Sequence, residues 1–405
     1  VETDHSKNIH AGRNHADHAI FRCAGLSEQH AEFEVEGVWF AVQQDSDPIR
    51  SIQHILETHH RDGCGWGMML SYELGGWVEP LARSSAKDDL GFPLCVMMRL
   101  GDEIKRERPR GDFRVGPVRS RTGQSKYMDH VERIREYIAA GDIYQANLAH
   151  RLRGEFDGDP IACAEQFIHH ANPRHGAFVR FMHEGLSHTI CSISPELFVR
   201  IDREQSTIQT EPMKGTRPIG ADMGELDRNA KDRAELNMIT DLMRNDIGRV
   251  CELGSVRVRS PRRIEPHGSG VLQASSVIEG TIRANLTIAE IIRAMFPPGS
   301  VTGAPKVRAM QVIDEFERSP RRAYCGSVMH IDPDGSINAS VAIRTAHIWG
   351  EVDTDRPAEI HDGSFEYAVG AGIVADSDPQ AEWDETLIKA AVLARALDVE
   401  LVHHR

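Results

Sequence analysis

The first third of the chain alternates more than it repeats. In FEVEGVWFAVQQ (33–44) apolar and polar residues change places closely enough to predict a strand. SIQHILETHH (51–60) reads as a short helix, and GWGMMLSYELGGW (65–77) as a strand running into a glycine turn. Residues 101–126 are charged, carry Pro and Gly and show little periodicity, which predicts a linker. The resulting division is an N-terminal strand-rich region, 1–110, packed on a larger domain, 120–405.

In the larger domain the period changes. Tyr127, Val131, Ile134 and Ile138 recur at helical spacing, and Gly141-Asp142 ends that helix before a strand at 143–152. Further strands are predicted at 188–201, 206–212 and 365–379, and a hairpin pairs 327–332 with 337–350 across Pro333-Asp334-Gly335. Helices are predicted at 232–250, 289–296 and 381–397, with a glycine turn opening another within 300–317. Strands and helices come in irregular groups, so the pattern favours an α/β chain of the α+β type over strict βαβ repetition.

Composition narrows the function. The 405 residues are 40% hydrophobic and 27% charged, enough to bury a sizeable core. A net charge of −14 argues against a nucleic-acid surface. Seven widely spaced cysteines without a C-x-x-C argue against a disulfide scaffold or zinc knuckle and fit a reducing cytoplasm. The first residues are polar, without an apolar signal core, and no stretch approaches the roughly 18 apolar residues of a membrane span. A soluble cytoplasmic protein is expected, with neither nucleic acid nor membrane as partner.

Some residue groups could carry chemistry. Glu382, Glu385 and Lys389 share one helix face, and Asp232 and Glu235 sit three apart on another helix. Paired carboxylates on two helices suit a hard cation such as Mg²⁺, and equally a solvated face. Gly370 and Gly372 interrupt an apolar strand, marking either a bulge or a ligand pressed against the backbone. GSVTGAPK (299–306) has the wrong glycine spacing for a phosphate loop of the Walker type. Lys214 lies between Pro212 and Gly215: a surface charge, or a nucleophile if a pocket removes its proton. The planar fork of Arg344 matches a carboxylate.

Taken in order, SPELFVR (194–200), EPMKGTRP (211–218), KDRAELNMITDLMRNDIGRVC (231–251), FPPGSVTGAPKVRAM (296–310), YCGSVMHIDPDGSINASVAIRT (324–345) and GAGIVADSDPQAEWDETLIKA (370–390) strongly resemble the chorismate-utilising enzymes. The likeness covers about residues 120–400. It implies two packed antiparallel sheets flanked by helices. It implies Mg²⁺ held by Glu235 and Glu385 with Asp232 and Glu382 in support, the metal holding the ring carboxylate of chorismate. It further implies a substrate carboxylate held by the Gly370 and Gly372 amides with Arg344 and Tyr324, Thr302 facing the hydroxyl end, Lys389 near the metal, and Glu196 as general acid or base at the departing hydroxyl.

Within that family two positions discriminate. Water-adding members carry lysine where this chain has Gln145. Anthranilate synthases carry alanine where this chain has Lys214, and lysine there resembles aminodeoxychorismate synthase component I, in which it attacks ring carbon 2 before ammonia enters at carbon 4. The family's usual substrate-contacting histidine is replaced here by Leu272, or by Gln273 with a one-residue slip. The sequence contains no G-x-C-x-G glutaminase elbow, so the resemblance implies a separate glutamine amidotransferase subunit as ammonia source. The alternatives are anthranilate synthase component I, an aminating enzyme of a secondary pathway, or an inactive regulatory or scaffold subunit.

Overall fold

The computed structural model describes residues 9–12, 21–24, 30–43, 47–103, 111–218, 223–267, 271–352 and 359–402. The long strand His30–Val42 organises them. Its first residues pair with Phe21–Ala24, and its length also pairs with Cys95–Glu103, both antiparallel. Two antiparallel layers grow from it. One runs through Cys95–Glu103, Gly65–Leu70, Ser327–Ile331, Ile337–Val341, Leu197–Asp202 and Thr207–Glu211 to Val271–Thr281. The other runs through Phe21–Ala24, His175–His183, Leu186–Ser194, Thr345–Gly350 and Ile360–Ile373 to Gln145–Gly158. The α/β fold with two multi-stranded sheets and flanking helices is therefore the one the sequence implied.

Helices cover these layers where their apolar stripes fall. Ala230–Gly248 buries Leu236, Ile239, Met243 and Ile247 and packs against Val271–Thr281. Pro379–Leu397 packs against Ile360–Ile373 and against helices Gln124–Ala139 and Pro160–Ala171. Asn229 caps Ala230–Gly248 and Asp378 caps Pro379–Leu397 by accepting the Asp232 and Ala381 N–H groups, which fixes where each acidic face begins.

Several elements differ from the sequence reading. The segment 188–201 is two strands, broken where Pro195 cannot continue a ladder. The linker expected at 101–126 contains strands Phe113–Val115 and Val118–Ser120, both paired with Gln145–Gly158, and helix Gln124–Ala139 opens inside it; residues 104–110 lie outside the described part. Those strands are three residues each, too short for a periodic signal. Strand Gly65–Leu70 of the N-terminal region pairs with Ser327–Ile331 of the larger domain, so the two are joined in one sheet at that edge.

Candidate functional site

Gly370 and Gly372 do not sit in a bulge. The register of Ile360–Ile373 against Gln145–Gly158 is continuous from Gly363 to Ile373. On its other side that strand pairs with Thr345–Gly350 only up to Tyr367. Beyond it the edge has no second strand among the described residues. The Gly370 carbonyl accepts from Lys389 Nζ at 2.7 Å. In an antiparallel ladder a residue's N–H and C=O point the same way, so the Gly370 and Gly372 amides face this open edge.

Side chains press on both glycines. A β-carbon on Gly372 would lie 2.6 Å from Lys214 Nζ and 3.2 Å from Gln145 Nε2; one on Gly370 would lie 2.9 Å from the Tyr324 hydroxyl. At Gly370 a methyl would also meet the Leu148 carbonyl oxygen at 2.7 Å, so glycine is required there, whereas at Gly372 it would meet only the ends of two side chains. Lys214 comes from strand Met213–Pro218, opposite Ala274. It makes no hydrogen bond or ion pair among the described residues, yet its charge is felt by Glu196, Glu235 and Glu385. The Gln145 side chain is fully buried and neither polar atom of its amide has a hydrogen-bond partner among the described residues. Such a group is costly unless something pairs with it.

Glu196 follows the Pro195 break and is 4% exposed. Burial pushes its carboxyl up to about 7, against opposing pulls from the Ser300 hydroxyl, which donates to it, and from Lys214. A carboxyl that changes charge near neutrality suits acid–base work. Tyr324 is buried, and burial raises its phenol well above the usual range, so it stays a neutral donor. Arg344 stands at a backbone turn with φ 50° between strands Ile337–Val341 and Thr345–Gly350. The Thr302 hydroxyl turns back into its own loop, donating to the Pro298 and Gly299 carbonyls at 3.2 and 3.1 Å. Leu272 packs with Leu226, Leu236 and Ala274.

The acidic faces of the two helices meet. Burial raises the Glu235 carboxyl, and Glu382 and Glu385 add to the rise while Lys214 and Lys231 oppose it. Glu382 is buried and accepts from the Ser377 hydroxyl at 2.6 Å. Glu385 is half exposed and paired with Lys389 at 2.7 Å, whose charge holds its carboxyl below the usual range. Asp232 lies against Gly215, beside the lysine strand. Lys231 Nζ stands between the helices, 3.4 Å from Glu382 and 3.9 Å from Glu235. Among the described residues no three acidic, His or Cys side chains converge tightly enough to form a ready ligand set. The donors are all carboxylate oxygen, which suits Mg²⁺, and the cluster already draws a cation in the form of Lys231. The donor type fits a hard divalent ion, while the place between the carboxylates is taken in this structure by the Lys231 ammonium.

Ser300, which donates to Glu196, and Lys231, which stands near Glu235 and Glu382, were not singled out in the sequence reading. Their signals were weak, because serine in a glycine turn and lysine on a polar helix face are ordinary surface patterns.

The model of the family described as chorismate binding enzyme matches residues 98–395. The chain belongs to that family. It is 39% identical over 287 residues to aminodeoxychorismate synthase component 1 of Klebsiella aerogenes, covering 69% of this chain and 59% of that one. It is 36% identical over 290 residues to anthranilate synthase component 1 of Acinetobacter calcoaceticus, covering 69% and 55%. The chain thus spans less than two-thirds of the length of these two relatives. With aminodeoxychorismate synthase component 1 of Escherichia coli (strain K12) the match is 37% over 395 residues, covering 87% and 83%. Among solved structures, anthranilate synthase component I from Streptococcus pneumoniae TIGR4 superposes with a TM-score of 0.68 at 22% identity, covering 96% of this chain and 93% of that one. A putative 2,3-dihydroxybenzoate-specific isochorismate synthase from Bacillus anthracis does so at 0.70 and 20%, covering 95% and 97%. These structural likenesses establish the chorismate-binding fold and leave the reaction open. No helix among the described residues is long and apolar enough to cross a membrane.

Proposed function

We propose that this chorismate-binding chain aminates chorismate to 4-amino-4-deoxychorismate. The observation that carries the reading is Lys214: an amine without an ion-pair partner among the described residues, against the Gly372 backbone and within reach of the Glu196 charge. The Lys214 amine attacks ring carbon 2, the ring double bonds shift, and the carbon 4 hydroxyl departs as water with the proton of Glu196. Ammonia then adds at carbon 4, the double bonds shift back, and the lysine amine leaves carbon 2. The proton that ammonia sheds restores Glu196. Two allylic displacements replace one difficult substitution. The enolpyruvyl group is retained throughout.

The open glycine edge, Tyr324 and Arg344 would hold one carboxylate of the dianion. Glu235 and Glu385, supported by Asp232 and Glu382, would hold Mg²⁺, which supplies positive charge for the ring carboxylate. Lys389 would keep Glu385 ionised and Thr302 would close the hydroxyl end. Ammonia would come from a glutamine amidotransferase subunit, and the product would lead toward para-aminobenzoate and folate in the cytoplasm.

The test is chromatography of products from chorismate, Mg²⁺ and ammonium with wild type, Lys214→Ala and Lys214→Arg. Wild type should make the 4-amino compound. Lys214→Ala should lose it and release traces of a 2-amino product, since carbon 2 is then open to ammonia. Lys214→Arg should be equally poor, because guanidinium stays protonated. A 2-amino product from wild type would assign the anthranilate reaction instead, and no turnover with any variant would leave a binding or scaffold role. A near wild-type rate in Lys214→Ala would make the lysine a bystander.

A further inference from the structure

The N-terminal region reaches the pocket wall through one carboxylate. Glu73 lies in the short turn Tyr72–Leu74, just after strand Gly65–Leu70. Its oxygens accept two consecutive backbone N–H groups, from Arg321 at 2.6 Å and Arg322 at 2.9 Å. The segment they belong to is irregular: Arg322 and Cys325 hold φ of 54° and 61°, a conformation uncommon for residues with side chains. Adjacent N–H groups in such a turn have no ladder partner, so an external acceptor is needed to hold them.

That turn braces the glycine edge from two directions. The buried Arg321 guanidinium pairs with Glu317 and donates to the Val301 and Asn147 carbonyls at 3.0 and 2.6 Å. Asn147 is the register partner of Gly372, and Val301 directly precedes Thr302. Glu317 in turn accepts the N–H of Ala149 at 2.9 Å, and Ala149 is the register partner of Gly370. Tyr324, whose hydroxyl faces Gly370, sits on the same turn three residues after Arg321.

We propose that Glu73 is a positioning residue for the substrate-carboxylate site: it fixes the Arg321–Tyr324 turn, and through it Tyr324 and the backbone opposite Gly370 and Gly372. The proposal rests on the reading of this pocket as the chorismate site. It gives the N-terminal region a part in the reaction that shared sheet packing alone would not. Arg322 remains tied to Asp88 at 2.8 Å when Glu73 is changed, so the effect should be local.

The experiment compares full-length wild type, Glu73→Ala and Glu73→Gln by steady-state kinetics with chorismate and ammonium and by amide hydrogen exchange. Glu73→Ala should raise KM for chorismate at least tenfold with a smaller change in kcat. It should also speed exchange at 321–325 while helix 124–139 exchanges as before. Glu73→Gln keeps one acceptor oxygen and should recover part of both effects. An unchanged KM in Glu73→Ala beside a normal wild type overturns this proposal alone, whether or not Tm falls. A wild type that neither binds nor converts chorismate overturns the reading of the pocket and this proposal with it.

Discussion

The Ser300 hydroxyl donates to the Glu196 carboxyl in a place where both side chains are buried. The bond favours the ionised acid, yet burial wins and the carboxyl titrates at about 7 rather than near 4.5.

A pH dependence follows from that balance. The native state holds a proton on Glu196 that the unfolded chain has lost. Its contribution to stability is fully present below about 4.5 and is lost as pH rises through about 7. Denaturant unfolding should show wild type losing stability across this window relative to Glu196→Gln, which stays neutral. If Glu196 is the acid that protonates the leaving hydroxyl, kcat/KM should also fall above about pH 7. A profile that stays flat to pH 8 would remove it from that role.

Gly372→Ala tests the crowding at the open edge. The methyl would meet the ends of two side chains, Lys214 and Gln145, rather than backbone. The protein should fold with a nearly unchanged Tm, while Lys214 is pushed off its station. The rate of amination should drop at least tenfold, about 1.4 kcal/mol of transition-state stabilisation.

Gly303→Ala should behave in the opposite way. A β-carbon there overlaps the Gln145 carbonyl oxygen, in the short bridge that pairs Gly303 with Ala146. Backbone cannot step aside as a lysine tip can. Unfolding experiments should show a loss of about 1–3 kcal/mol or more, as for other overpacked sites.

The acidic cluster predicts dependence on Mg²⁺. Excess EDTA should abolish turnover, and Glu235→Gln or Glu385→Gln should cut it more than tenfold. Mg²⁺ should raise the Tm of wild type and not of Glu235→Gln. Lys231→Met removes the ammonium that competes for the same carboxylates, so its Tm should respond to lower Mg²⁺ concentrations. Full activity in EDTA with no Tm response would rule out the ion.

Much of this was legible along the chain. The stripe Leu236, Ile239, Met243 and Ile247 specifies its helix because four residues at that spacing can share only one buried face. The same geometry put Glu382, Glu385 and Lys389 on one side of the last helix, and Lys389 does meet Glu385 there. The hairpin at Pro333-Asp334-Gly335 is local turn chemistry and forms between Ser327–Ile331 and Ile337–Val341, whereas Thr345–Gly350, expected to continue its second strand, is a separate strand in the other layer. The motifs of residues 194–390 were enough to mark the chorismate-binding family.

Other features have no local cause. The strands Phe113–Val115 and Val118–Ser120 exist because Gln145–Gly158 offers them an edge, and three residues carry no period of their own. Whether Gly370 and Gly372 formed a bulge or a crowded ladder depended on Lys214 and Tyr324, far away in sequence. The turn around Arg321 is held by Glu73, 248 positions earlier. Sequence alone settled the residue types and the faces they share, since those follow from helix and strand periods. Only the tertiary structure decided which carboxylate lost its water and, among the described residues, which amine stayed unpaired and which backbone edge stayed open. Desolvation and charge coupling depend on what folds against a group, and periodicity does not contain that.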